Sequence, residues 1–277
     1  MPCIADGMLF CFYEAPCAVS MDCLSLSVVI ITFNEEANLE RTLSSVAWAA
    51  DEVIIVDSGS TDRTREIAES FHAQFFVEPW KGFAAQKNSA LDKAAGDWIL
   101  SLDADEEVEP ALADEIKSVL AANPSVAGFW IPRKNFFLGR WIKHGGFYPD
   151  PKLRLFRRGR GKFEDRLVHE DIHLEDSSGR LHYNLLHHAY PTLENYLDHL
   201  NRYSSLGAKM ANARRSSDFS VMDIVIRPKL TFLYNYVLRG GFLDGREGLL
   251  VHLYHAGYVS WKYAKAWEMA RRGTKSQ

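Results

Sequence analysis

The chain has 277 residues, 47% of them hydrophobic, and a formal net charge of −4. That is enough apolar material for one large core with an appended tail, and the acidic balance argues against nucleic acid as a partner. No run approaches the roughly 18 consecutive apolar residues of a membrane-spanning helix, and no internal repeat or low-complexity tract occurs.

All four cysteines, Cys3, Cys11, Cys17 and Cys23, fall in the first 23 residues. They show no CxxC spacing and no flanking histidine, which argues against a metal or disulfide cluster. The segment has no basic start and Glu14 interrupts its apolar part, unlike a signal peptide. Residues 1–24 therefore read as a disordered leader outside the folded domain, with Met21 as an alternative start. A catalytic domain is expected over 25–215 and a helical region over 216–277.

From Leu26 a β-branched run continues to Thr32 and stops at Asn34. Leu39, Leu43 and Val46 then recur at helical spacing, with Asn34 as the expected N-cap, so the pattern reads strand, turn, helix. Glu52 to Asp57 repeats it: an apolar strand, the turn Ser58-Gly59-Ser60-Thr61-Asp62, and an amphipathic helix through Ile67, Ala68 and Phe71. A further helix, Phe83 to Ala95, carries Lys87. The apolar run from Trp98 then ends in Asp103-Ala104-Asp105. Alternating strands and helices predict βαβ units around a mostly parallel sheet. Ligands of such sheets sit outside the carboxyl ends of the strands, where Thr32, Asp57, Asp103 and Asp105 all fall. Two carboxylates spaced i, i+2 suit Mg²⁺ or Mn²⁺, which takes hard oxygen ligands and completes its shell with phosphate and water. Glu106, Glu107 and Glu109 leave open the alternative of an ordinary acidic surface loop.

Further on, Lys152, Arg154, Arg157 and Arg158 form a basic cluster close to Arg160 and Lys162, and the alternation of Leu153 and Leu155 with Arg154 predicts a strand with one basic face. A solvated strand and a site for a phosphorylated sugar explain it equally. Histidines are dense between His169 and His199. Imidazole binds Mn²⁺, so His187 is weighed as a third metal ligand, but a diphosphate site does not require nitrogen and packing or an acceptor contact is the preferred reading. From Met222 onward nine basic residues face four acidic ones, a local +5. Leu249, Leu250, Leu253, Tyr254, Gly257, Tyr258, Trp261, Ala264 and Trp267 keep helical spacing beside them. Such a stripe either lies on a membrane surface or packs on the catalytic domain.

Four motifs in order carry a resemblance: Val-Ile-Ile-Thr-Phe-Asn-Glu-Glu from residue 29, Ile-Val-Asp-Ser-Gly-Ser-Thr-Asp from 55, Ala-Gln-Lys-Asn-Ser-Ala-Leu from 85, and Leu-Asp-Ala-Asp from 102. From about residue 26 to 190 the chain resembles the family-2 glycosyltransferases. Pro149 to Phe156, Leu167-Val168-His169-Glu170 and Leu185 to Pro191 resemble bacterial enzymes that add glucose to the lipopolysaccharide inner core.

The resemblance implies a three-layer Rossmann-like α/β fold of the nucleotide-diphospho-sugar type with a C-terminal helical tail. It also implies inverting transfer of a hexose, glucose in this subgroup, from a UDP-sugar. Asp105 would be the main metal ligand, Asp103 would hold the ribose or a metal-bound water, and the cofactor would be Mg²⁺ or Mn²⁺. Asp57 would contact the uracil, although many relatives carry a second acid where this chain has Ser58. Thr32, Phe33 and Glu35 would complete the nucleotide pocket, with core packing as the alternative for Phe33. Lys87 would face the diphosphate, its alternative being a solvated helix lysine. Glu170 is the expected base and Asp171 the reserve, because an acceptor hydroxyl must lose a proton as it attacks. Lys152, Arg154 and His187 are assigned to the acceptor, a glycolipid or lipopolysaccharide. The tail would attach a cytoplasmic enzyme peripherally to the anionic inner face of the membrane, each basic residue adding about 1 kcal/mol.

Three rival readings stand beside this one. A sugar nucleotidyltransferase would open with a glycine-rich loop, which Thr32 to Glu36 lacks. A polyprenyl-phosphate glycosyltransferase and a non-catalytic nucleotide- or lipid-binding relative are the others; Asp57, Asp103, Asp105 and Glu170 are all present.

Overall fold

Strands buried on both faces read as continuous apolar runs, and the centre of this molecule is built from three of them. In the computed structural model, which describes residues 24–48, 51–164, 172–174, 176–214 and 219–274, Val28, Val29, Ile30, Ile54, Ile55, Ile99 and Leu100 are all within 2% of full burial. The chain runs β1 (Leu26–Thr32), α1 (Leu39–Val46), β2 (Glu52–Asp57), α2 (Thr64–Ser70), β3 (Gln74–Val77), α3 (Phe83–Lys93) and β4 (Trp98–Asp103). There follow β5 (Glu106–Val108), α4 (Pro110–Ala122), β6 (Gly128–Ile131), β7 (Arg133–Phe137), β8 (Arg140–Trp141) and β9 (Lys152–Arg157). The remainder is β10 (Gly161–Phe163), β11 (Ile172–Leu174), β12 (Ser178–Arg180), β13 (Leu185–Tyr190), α5 (Leu193–Arg214), α6 (Arg227–Phe232) and α7 (Gly245–Thr274).

The main sheet has the order β12-β6-β9-β4-β1-β2-β3. β4, β1, β2 and β3 are parallel, and β9 enters antiparallel between β4 and β6. The period of two along each strand divides the core. Leu26, Val28, Ile30, Leu100 and Leu102 pack under α1, α2 and α4, while Val29, Ile54, Val56 and Ile99 pack under α3. The result is the expected three-layer α/β arrangement with a mostly parallel central sheet and a long C-terminal helix.

A second sheet, β5-β13-β7-β8, stands beside the end of β4. It shares a core with the tail: Phe137 and Ile142 meet Tyr196 and Leu200 of α5 and Val251 of α7. The C-terminal region is thus packed onto the catalytic body.

Several local expectations change. Asn34 does not cap α1. It takes a left-handed backbone at φ 55°, and its Oδ1 accepts the Thr61 amide at 2.9 Å, tying the first site loop to the second. α3 ends at Lys93 because Ala94 turns extended and the Ala95 amide donates to Glu52. In α7 the buried line is Val251, Ala256, Val259 and Ala266, where the helix lies along α5; of the expected 249–267 stripe, Leu250, Tyr254 and Tyr258 pack partly against the core, while Leu249, Leu253 and Trp261 are 40%, 50% and 37% exposed. The exposed apolar surface lies mainly earlier: Met222, Leu230, Leu233, Val237 and Leu238 are 49–77% exposed. Among the described residues no helix is long and apolar enough to cross a membrane. The leader with its four cysteines lies outside the described residues, as do Glu170 and Asp171.

Candidate active site

The parallel register places Thr32 opposite Asp57 and Ile31 opposite Asp103, so the three strand ends share one edge. Thr32 Oγ1 donates to Asp57 at 2.7 Å, and the Gly59 amide, the Ser60 amide and Ser60 Oγ also donate, at 2.8, 2.7 and 2.5 Å. A carboxylate offers about four acceptor sites, and here all are filled. Asp57, 1% exposed, therefore shapes the loop, with no acceptor site left for a uracil N–H. The adjacent Ser58 hydroxyl is buried and has no hydrogen-bond partner. Phe33 is 58% exposed, which removes core packing as its role. Burial pushes Glu35 up to about 7; Asp105, Asp62 and Asp103 add to that rise, and a hydrogen bond from Asn38 opposes it.

The two carboxylates of Asp103-Ala104-Asp105 have different surroundings. Asp103 accepts from Lys87 Nζ at 2.7 Å and from Arg154. Burial disfavours its charge, but Arg154 and Lys87 outweigh that and hold its carboxyl well below the usual range. Behind it, Glu106, 0% exposed, accepts from Arg154 at 2.7 Å and Arg133 at 2.9 Å. Arg133 reaches on to Asp150 at 2.6 Å. Burial opposes the charge of Asp150 too, yet Arg133 and Lys152 bring it down to about 2. Buried ions persist only when paired in this way.

Asp105 faces His187 instead, with Oδ2 3.4 Å from Nε2. Burial raises the Asp105 pKa, and the His187 imidazole reverses the shift to a net lowering. His187 Nδ1 lies 2.7 Å from Asn135 Oδ1. The Asn135 amide is oriented by its Nδ2, which donates to Phe147 O and to Asp150 Oδ2 at 3.3 and 3.2 Å. Its oxygen therefore takes the Nδ1 proton and fixes the ring with Nε2 facing Asp105. The pairing of β13 with β5 creates this contact: His187 stands opposite Glu106, and the His188 amide donates to Asp105 O at 3.0 Å.

Carboxylate oxygen and imidazole nitrogen suit Mn²⁺, and with more phosphate and water ligands Mg²⁺. Among the described residues no three His, Cys, Asp or Glu side chains converge on a cation position. A cation here would take two protein ligands and leave the others to phosphate and water.

Two sequence expectations are corrected. β9 does not carry a solvated basic face, because it lies between β4 and β6 and Arg154 is 5% exposed. That side chain is committed to Asp103 and Glu106 and is not free for an acceptor, whereas Lys152 stays near the surface, 3.3 Å from Asp150. Nor are the glutamates an ordinary acidic loop. Glu107 pairs with Arg41 at 3.7 Å and His188 at 3.0 Å, and Glu109 with Lys134 at 3.0 Å. Lys87, 8% exposed, is not a solvated helix lysine. Arg133, Asn135 and Asp150 were not anticipated as site residues. Asp150 stood within a quoted motif, while Arg133 and Asn135 carried no local signal.

With this geometry in place, residues 27–181 match the model for glycosyl transferase family 2. The chain belongs to that family. Over 254 residues, 88% of this chain and 93% of the relative, it is 31% identical to the lipopolysaccharide core biosynthesis glycosyltransferase LpsC of Rhizobium meliloti (strain 1021). It is also 31% identical to an uncharacterised glycosyltransferase of Rickettsia typhi (strain ATCC VR-144 / Wilmington), over 81% of this chain and 80% of the other. The mannosyltransferase PcManGT from Pyrobaculum calidifontis, solved with GDP-Man and Mn²⁺, superposes with a TM-score of 0.52 over 88% of this chain and 87% of its own, at 15% identity, and shares the fold. This family-2 glycosyltransferase thus carries its paired strand-end carboxylates where open α/β sheets bind ligands.

Proposed function

We propose that this glycosyltransferase transfers a hexose, in our reading glucose from a UDP-sugar, with inversion onto the saccharide of a membrane glycolipid such as lipopolysaccharide core. The observation that carries the reading is the pair Asp105 and His187, 3.4 Å apart at the carboxyl end of the sheet. These two residues would hold a divalent cation, whose chemistry is to neutralise charge on the departing diphosphate. Lys87 and Arg154 keep Asp103 ionised and fixed beside that position for a ribose hydroxyl or a metal-bound water. Exposed Phe33 is free to cover the nucleotide, with Thr32 and Asp57 shaping the loop beneath it. Glu35 lines the same edge. Glu170, with Asp171 in reserve, would take the proton of the attacking hydroxyl. His187 moves in this proposal from the acceptor to the metal, and Lys152 remains an acceptor contact.

Likeness to LpsC supports a lipopolysaccharide core acceptor. The tail supports peripheral attachment to the inner face of the membrane. Leu230, Leu233, Leu238 and Phe242 are more than half exposed, with Arg227, Lys229, Arg239 and Arg246 interspersed. A continuous exposed apolar surface marks an interaction site, and basic residues beside it favour anionic lipid at about 1 kcal/mol each. Turnover of UDP-, GDP- and CMP-sugars with Mn²⁺, Mg²⁺ or chelator tests the reaction. Metal-dependent release of UDP from one UDP-hexose is expected, and metal-independent release or a preference for GDP- or CMP-sugars would overturn the assignment.

A further inference from the structure

On the far side of His187 from Asp105, a cavity of about 220 Å³ opens between the second sheet and the tail. We infer that it binds an uncharged, hydroxyl-rich sugar ring, the reacting residue of the acceptor, and that α7 is one of its walls. The inference rests on the transferase reading above. Sites for drug-sized ligands span roughly 300–1,000 Å³, so this smaller space suits a single ring.

Its lining has two chemistries. Asn135, Asp150 and His187 form a polar end, and Ile142, Phe147 and Val251 an apolar one. A pyranose presents the same pair of surfaces, hydroxyls at its rim and a C–H face that packs on aromatic and aliphatic groups. Asp150 is ionised. Its Oδ2 is occupied by Arg133 and Asn135, and among the described residues its Oδ1 meets only Lys152, at 3.3 Å, which leaves acceptor capacity for a sugar hydroxyl. The charge at this end decides the class of ligand. Arg133, the one lysine or arginine among the residues lining the cavity, is already neutralised by Glu106 and Asp150, so a phosphate or carboxylate would enter beside an ionised aspartate with no uncommitted cation in the lining to meet it.

The tail closes the cavity through contacts on the loop after β8. The Gly145 amide donates to Arg239 O at 3.0 Å, and Asp244 grips His144 through its amide and its Nδ1, both at 2.8 Å. Gly146, at φ 92°, lies so close to the Arg239 guanidinium that a Cβ would stand 2.2 Å from Nη1. The segment that exposes the apolar surface therefore also fixes the wall of the sugar cavity. A lipid-linked acceptor would meet one continuous element at its lipid end and at its sugar end.

The test uses the full chain with ¹³C-labelled Ile and Val methyl groups, saturated with UDP and Mg²⁺. It is titrated with methyl glucoside, methyl mannoside and, as the anionic counterpart, mannose 6-phosphate. Ile142 and Val251 methyl signals should shift saturably with at least one neutral glycoside and at least tenfold more weakly with the phosphate. Val251→Phe, which fills the cavity, should weaken the neutral glycoside tenfold or more, with calorimetric binding of UDP as its folding control. Silent methyls in a wild-type chain that binds UDP, or tighter binding of the phosphate, would overturn the inference. Absence of UDP binding in the wild type would instead overturn the transferase reading, and the methyl shifts would still decide the cavity. Should Val251→Phe fail to fold, the wild-type titration decides alone.

Discussion

Two regions of this molecule depart from ordinary burial in opposite directions. Beneath the end of β4, Asp103, Glu106, Arg133 and Arg154 take charge out of water; in the tail, Met222, Leu230, Leu233 and Leu238 leave apolar surface in it. The buried charges find partners within the chain, each carboxylate meeting a guanidinium or ammonium. Among the described residues the apolar surface finds none. Charge inside is a solved problem of the fold and serves to fix Asp103, whereas apolar surface outside is an unsolved one and points to a partner. Among the described residues the Asp105 carboxylate is paired only with the His187 imidazole, so it lies between these extremes.

The largest expected effect falls on that intermediate residue. Asp105→Asn should lower metal-dependent transfer about a thousandfold, in line with the several kcal/mol that a bound metal supplies, with an unchanged circular dichroism spectrum. Arg154→Met strikes the buried network and should cost about 3–5 kcal/mol, because breaking one partner leaves a buried charge uncompensated; urea unfolding measures it. A loss within about 0.5 kcal/mol, as at a plain surface site, would erase the contrast between the two regions. Asn135→Ala frees the His187 ring and should weaken Mn²⁺ binding about 10–100-fold, the range for groups that orient metal ligands. Leu230→Glu with Leu238→Glu should cut binding to anionic vesicles about tenfold while donor hydrolysis in solution stays constant; unchanged vesicle binding would remove the tail's assigned partner.

The smallest effect concerns pH. Glu35 keeps its proton up to about 7 in the folded chain, against 4.5 ordinarily. Between those values the native state binds more protons than the unfolded one, so this group's contribution to stability falls as pH rises through that window. Glu35→Gln should flatten the decline between about pH 5 and pH 8 in chelator.

Legibility in the sequence followed the range of the interactions. β1, β2 and β4 were readable because burial on both faces writes itself as uninterrupted β-branched runs, and their ends placed Asp57, Asp103 and Asp105 together. Arg154 was misread because alternation along β9 looks the same whether a strand's polar side meets water or a buried ion pair. Glu106 looked solvated for the same reason: its partners Arg133 and Arg154 lie 27 and 48 residues away. His187 meets Asp105 through the pairing of β13 with β5, which no local pattern records. The helical spacing of α7 was legible, but its buried line falls on Val251, Ala256, Val259 and Ala266 rather than on the stripe read from the sequence, of which Leu249, Leu253 and Trp261 stay exposed; the larger exposed surface falls on 219–243, where π-helical turns at Met222–Ile226 and Leu233–Leu238 break the simple helical period.

The central claim is that Asp105 and His187 together hold the cation of the donor site. Pulsed electron paramagnetic resonance of Mn²⁺ bound to the full chain with UDP tests it most directly, through the nuclear modulation of a coordinated imidazole nitrogen. A ¹⁴N modulation that disappears in His187→Ala is expected, together with a loss of bound Mn²⁺ in Asp105→Asn. Tightly bound Mn²⁺ without nitrogen modulation, or with modulation that survives His187→Ala, would contradict it.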